Sequence, residues 1–261
     1  MSNSASPKSM RVTRVLTAFA IVLGGIMTGS VVTAGPAAAA DACTGWYREM
    51  RVGMSGADVT ALQIRVAGWT GSTEVLSVDG NFGSRTENAV KNFQAAYGLS
   101  ADGQAGPMTQ AKLLSLQDSD CTPIHFSYSE MDNDCHSDFT GGKVSRTAAM
   151  GYANRVMWKL EALRHKLGDR PLDINSGFRD IACNSAAGGA SDSMHLYGAG
   201  ADLSQGAGDK AALCAILVKA KSSGFSSVQG PGYAGHNDHV HVDIRMDVSS
   251  SRGTFFPSTS C

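Results

Sequence analysis

The strongest constraint on this chain is an echo inside residues 53–116. "DGNFGSRT" begins at Asp79 and "DGQAGPMT" at Asp102, each reading Asp-Gly-x-x-Gly-x-x-Thr, 23 residues apart. A weaker copy, "GMSGADVTALQ", begins at Gly53. After each turn come apolar residues at helical spacing: Val59, Leu62 and Val66; then Ala89, Val90, Phe93, Ala96 and Tyr97; then Met108, Ala111, Leu113 and Leu114. The glycines supply turn conformations that other residues resist. One such unit cannot bury a core alone, so the three must pack together as a small three-helix module.

Ahead of the module, Lys8, Arg11 and Arg14 precede an apolar run over 15–35, and "PAAAAD" offers a small-residue exit. Residues 1–40 therefore read as a secretory signal peptide cut near Ala40. An uncleaved anchor is the alternative, since the run approaches spanning length. Nothing later is apolar enough to span a bilayer, so no membrane association is expected after cleavage. Removing the leader takes three of the 22 Lys+Arg and none of the 23 Asp+Glu, leaving a net charge of −4. With no basic run, nucleic acid is not an expected partner.

All six cysteines follow the leader, at 43, 121, 135, 183, 214 and 261. An even count in an exported chain implies disulfides, and the lack of any Cys-x-x-Cys argues against a zinc ribbon or redox site. Sequential pairing gives each region its own staple. Cys43–Cys121 would close a loop of about eighty residues around the smallest core. Cys135–Cys183 and Cys214–Cys261 would hold the early and late parts of a second domain. The expected division is 41–121 and 122–261.

The second domain reads as α+β. "VSRTAAMGYANRVMWKLEALRHKLG" (144–168) is a long amphipathic helix with Ser145 as N-cap and Gly168 beyond its end. "PLDINSGFR" is a short strand entering a loop, "KAALCAILVKAKSSG" a second helix, and "HVHVDI" an alternating strand. His195 and Asp202 are seven apart; His239 and His241 are two apart, so they share a strand face. A histidine and a carboxylate from one segment plus a histidine from a distant strand make a three-ligand zinc set with a fourth position left for water, as catalysis needs. Spacing alone leaves surface histidines and a helix-capping aspartate as the ordinary alternative. His125, His136 and His165 have no partner pattern and read as surface residues.

Two family resemblances sharpen this. "GADVTALQIRV", "VDGNFGSRTENAVKNFQAAYGL" and "ADGQAGPMTQAKL" resemble the peptidoglycan-binding domain 1 family, over about residues 45–117. "SMHLYGAGAD", "HNDHVH" and "NSGFRD" resemble the M15 family of zinc D-Ala-D-Ala carboxypeptidases and related endopeptidases, over about 122–261. The second resemblance implies one Zn2+ held by His195, Asp202 and His241. It implies Asp238 as general base and Arg179 as clamp for a substrate carboxylate. His239 is a candidate oxyanion donor, Ser193 and His236 candidate substrate contacts, and Asp243 an orienting partner of a ligand histidine. One departure is Gly200, where the motif has alanine; it is expected to loosen the backbone before Asp202. The implied function is a secreted, wall-associated and monomeric zinc carboxypeptidase acting on D-Ala-D-Ala stem peptides of peptidoglycan. The alternatives are a peptidoglycan endopeptidase and a non-catalytic wall-binding protein.

Overall fold

The computed structural model describes residues 43, 46, 48–204 and 209–261. The proposed leader and its cleavage point lie outside the described residues. The N-terminal repeat becomes three helices, α1 (Ala57–Val66), α2 (Ser84–Ala96) and α3 (Pro107–Ser115). Its logic lies in a glutamine on each helix. Gln63 on α1 donates through Nε2 to Asp79 Oδ1 (2.9 Å), the Asn81 carbonyl (3.0 Å) and Thr86 Oγ1 (3.2 Å), while its Oε1 accepts from the Gly80 amide (2.8 Å). Gln94 on α2 repeats the set on Asp102 (2.8 Å), the Gln104 carbonyl (3.0 Å), Thr109 (3.0 Å) and the Gly103 amide (2.9 Å). Helices α1 and α2 thus each hold the turn that starts the next helix, while Gln110 on α3 bonds back to the Arg48 and Ala105 carbonyls. The Asp, Gly and Thr of the repeat are the partners one buried amide needs to be fully paired.

A short helix, α4 (Tyr128–Met131), leads to the long α5 (Arg146–Lys166). The Ser145 side chain caps α5 by accepting from the Ala148 amide. Then come β1 (Asp173–Ser176), α6 (Ile181–Ala186), a 3₁₀ turn (Met194–Tyr197), β2 (Gly200–Ser204), α7 (Lys210–Ala220), β3 (Ser227–Gln229), β4 (Val240–Asp243) and α8 (Arg245–Val248). Among the described residues the strands form one antiparallel sheet in the order β1-β2-β4-β3. The α+β expectation and the small antiparallel sheet hold. All three sequential disulfides form, with Cα–Cα separations of 4.9, 6.1 and 5.4 Å.

The cores are less separate than the sequence division at 121/122. Helix α5 gives Ala149, Ala153, Val156, Met157, Leu160 and Leu163 to the core under the sheet. Its Trp158 and Ala162 belong to the core of the three-helix module, with Phe82, Phe93 and Leu113. The seam is tight. A Cβ on Gly68 would come within 2.4 Å of Ala162 Cβ, and one on Gly224 (φ +73°) within 1.9 Å of the Ala67 carbonyl. Thr73 donates its amide to the Lys221 carbonyl (2.6 Å). Two histidines read as plain surface residues work near this seam. His125 pairs with Glu161 at 3.0 Å, and the His165 ring lies 4.5 Å from Tyr97 and 5.5 Å from Trp69.

Candidate metal centre

Sheet register assembles the site. On the central pair, Asp202 of β2 stands directly opposite His241 of β4, where facing side chains approach closely. His195 arrives from the 3₁₀ turn just before β2. Ser193 caps that turn by accepting from the His195 amide, and Gly198 ends it in the left-handed region (φ +69°). A Cβ on Gly198 would sit 2.5 Å from the Ala149 carbonyl, so the position requires glycine. In the motif S-x-H-x-x-G-x-x-x-D, cap, candidate donor, stop and candidate donor follow in order. Gly200 does not loosen the next stretch: it is buried in β2, paired with Asp243. A Cβ there would come within 3.2 Å of His241 Cε1, so glycine leaves room for the His241 ring.

Three donor atoms converge. His241 Nδ1 lies 2.8 Å from Asp202 Oδ1, His195 Nε2 3.2 Å from His241 Nδ1, and His195 Nε2 3.3 Å from Asp202 Oδ1. Tetrahedral zinc with bonds near 2.0–2.1 Å separates its ligands by about 3.3 Å. The remaining polar atoms decide what faces inward. His195 Nδ1 is 2.5 Å from the Gly177 carbonyl, which can only accept, so Nδ1 carries the proton and Nε2 presents its lone pair. His241 Nε2 is 3.3 Å from Asp243 Oδ2 and donates to it, leaving the Nδ1 lone pair inward. Arg179 Nη2 takes Asp202 Oδ2 at 3.0 Å, leaving Oδ1 inward. Each donor is oriented by an outer partner, as metal ligands require. The set fits a zinc ion.

Charge agrees with geometry. Burial works against ionised Asp202, but the His195 and His241 imidazoles outweigh it and hold the carboxyl far below its usual range. Burial also opposes a charged His241, yet in the metal-free chain its hydrogen bonds to Asp202 and Asp243 raise it to about 9, so Nδ1 carries a proton toward Asp202 that a bound ion would displace. Asp243 is kept ionised despite burial by His241 and by Arg245, whose Nη2 lies 2.6 Å from Oδ2. The field of this buried pocket favours a cation.

A cavity of about 670 Å³ opens on the donors, walled by the loop around 187–194, by Gln229 and His236, and by Arg245 and Arg252. A smaller one of about 280 Å³, lined by Asp134, Asn175, Ser176 and Asp238, shares Arg179, Asp202 and His239 with the first. His239 precedes β4; its Nε2 is 3.7 Å from Asp202 Oδ1 and its Nδ1 2.9 Å from Asp238 Oδ1. The Asp238 side chain is 90% exposed, and its hydrogen bond to His239 lowers its pKa. His236 bonds the Ala234 carbonyl and its ring lies tilted against those of Tyr233 (5.3 Å) and His239 (4.9 Å); burial lowers its pKa. Ser193 lines the larger cavity as well as capping the turn. Arg179 Nε reaches Ser176 Oγ (2.8 Å) and Asp134 (3.4 Å). Among the described residues its Nη1 makes no hydrogen bond.

The sequence reading missed the Gly177 carbonyl, Ser176, Arg245 and the pair Asp192–Arg252. Arg245 was within reach, because it continues the alternation of His241 and Asp243. A backbone carbonyl leaves no signature in residue type.

A buried two-histidine, one-carboxylate donor set beside an open cavity, on an α+β scaffold, is the arrangement of a mononuclear metallohydrolase. The Peptidase M15 family matches residues 124–243, and a peptidoglycan binding domain matches residues 55–113. The zinc D-Ala-D-Ala carboxypeptidase of Streptomyces albus G is 49% identical over 223 residues, covering 85% of this chain and 84% of its own. The N-acetylmuramoyl-L-alanine amidase CwlM of Mycobacterium tuberculosis is 40% identical over 70 residues, 27% of this chain and 17% of its own. Among solved structures, the endolysin of Burkholderia phage AP3 matches at 32% identity with a TM-score of 0.24, covering 41% of this chain and 36% of that one. The chain belongs to the M15 peptidase family and carries a peptidoglycan-binding module.

Proposed function

We propose that the chain is an exported zinc carboxypeptidase that removes the terminal residue from D-Ala-D-Ala stem peptides, held to the wall by its N-terminal module. One observation carries the reading. His195 and His241 each commit one ring nitrogen to an outer acceptor, and Arg179 commits one Asp202 oxygen, so three lone pairs meet at one point. When bound there, zinc supplies a Lewis acid for the scissile carbonyl and activates water at neutral pH.

The chain's own groups do the rest. Asp238, held ionised by His239, accepts a proton from the attacking water. His239, between Asp238 and Asp202, donates toward the oxygen that gains charge. Arg179 offers Nη1 to the substrate's terminal carboxylate while its other nitrogens stay engaged. Ser193 and His236 contact the peptide from the wall of the larger cavity. The apolar leader and three disulfides support export to the cell wall. The division into 1–40, 41–121 and 122–261 belongs to this reading.

The endopeptidase alternative draws on the smaller cavity, which shares Arg179, Asp202 and His239 with the larger one and adds room beside them. Defined muropeptides read by mass separate the two. Loss of one alanine, abolished by chelation and restored by zinc, is the expected result. Separation of cross-linked dimers without alanine release favours the endopeptidase, and no hydrolysis at all favours a wall-binding protein.

A further inference from the structure

The loop Ala187–Asp192 forms part of the wall of the larger cavity, and it contains no side chain larger than Ser until Asp192. Its first half is tied to α6: the Gly189 amide donates to the Asn184 carbonyl (2.8 Å), and Asn184 Nδ2 to the Ala190 carbonyl (3.0 Å). Its second half is held by Asp192. Arg252 Nη1 donates to Asp192 Oδ2 (2.6 Å) and Nη2 to Oδ1 (3.0 Å), a two-pronged pair across 60 residues of sequence. The Tyr197 hydroxyl donates to Oδ1 as well (2.9 Å), and the Arg252 guanidinium lies 5.4 Å from the Tyr197 ring centre.

Arg252 is itself carried by a fixed strap at the end of the chain. Phe255 pairs alongside β3: its amide donates to the carbonyl of Ser226, just before the strand (2.8 Å), and its carbonyl accepts from the Val228 amide (3.2 Å). The Ser260 amide donates to the Pro231 carbonyl (2.7 Å), and Cys261 is bonded to Cys214 on α7. The strap lies beyond residue 243, where the family match ends. A rigid strap and a loop of small residues therefore meet at one ion pair, and both partners line the cavity that holds the metal donors.

We infer that Asp192 and Arg252 are specificity-determining residues: their pair latches the 187–192 loop over the cavity and limits the size of the group that leaves on the C-terminal side of the cut. The inference rests on the carboxypeptidase reading. A latched loop confines the leaving portion to one residue; a released loop admits a longer one. Binding room, not bond chemistry, then separates exo- from endo-cleavage.

Two soluble stem peptides probe this, one ending in D-Ala-D-Ala and one carrying a further glycine after the last alanine. Wild type should favour the first, and Arg252→Gln or Asp192→Asn should narrow the kcat/KM ratio about tenfold, the scale on which pocket room discriminates. The exchanged pair, Asp192→Arg with Arg252→Asp, should restore the ratio, which general damage to the fold would not allow. Both single variants keeping the wild-type ratio would overturn the latch. Hydrogen exchange supplies an arm independent of activity: amides 187–193 should exchange faster in Arg252→Gln, and unchanged exchange also overturns it. A wild type that cleaves neither peptide, with exchange responding as expected, counts against the carboxypeptidase reading and leaves the latch standing as a loop fastening.

Discussion

Asp238 and Arg179 line the same small cavity and should fail differently. Asp238→Asn keeps the shape and loses the acceptor, so zinc should stay bound while kcat falls about 100-fold or more. Arg179→Ala removes a partner of Asp202 as well as the clamp. It should weaken zinc modestly and slow substrates with a free C-terminal carboxylate far more than amidated ones. Equal slowing of both would assign Arg179 to holding Asp202 alone. Asp192 offers a pH test. Its hydrogen bonds from Arg252 and Tyr197 lower its pKa from 3.8 to about 2. A carboxylate depressed in the folded state contributes stability above its unfolded pKa, and the contribution disappears as pH falls through the folded value. Asp192→Asn should therefore flatten the melting temperature between about pH 4 and pH 2, by a small amount because the carboxylate is more than half exposed to screening. A parallel acid limb in the variant would contradict this. At this scale the candidate donors His195, Asp202 and His241 were legible through the family resemblance, because spacing alone left surface histidines and a capping aspartate as the ordinary alternative. Their orientation was not, since it depends on the Gly177 carbonyl and on Asp243 being buried against Arg245.

The repeat shows what an element-level signal encodes. Asp79, Gly80 and Thr86 announced a turn and a helix start, and the structure adds the Gln63 amide that reads all three. Gln63→Ala strands these partners in a buried position and should cost about 1–3 kcal/mol, the penalty of unpaired buried polar groups. Gln94→Ala should cost a similar amount, because its contacts repeat the same set. Chemical denaturation of the full chain checks both, and a loss below about 0.5 kcal/mol for either would remove the network from the stability account. The strands were legible as β1 and β4, but the pairing was not. Nothing in "HVHVDI" states that β4 lies between β2 and β3, nor that a register irregularity between Ile174 and Ser176 brings Ser176 level with Asp202.

For the whole molecule, the composition and the cysteine spacing located two regions but concealed how they join. Trp158 and Ala162 sit at ordinary helical spacing in α5, so their sequence looks like any core face; their packing partners lie in the other region. Trp158→Ala should therefore destabilise one cooperative unfolding transition by about 3–5 kcal/mol. Two resolved transitions, with only one displaced, would contradict a shared core. The module then does more than tether: it holds one side of the helix that underlies the catalytic sheet. The metal centre can be read atom by atom by nitrogen-resolved NMR of the zinc-loaded protein with imidazole-labelled histidine. One zinc per chain should be bound through His195 Nε2 and His241 Nδ1. His241→Ala should abolish stoichiometric binding and His239→Ala should preserve it. Zinc held well below one per folded chain, or bound through His239 in place of His241, would contradict the account.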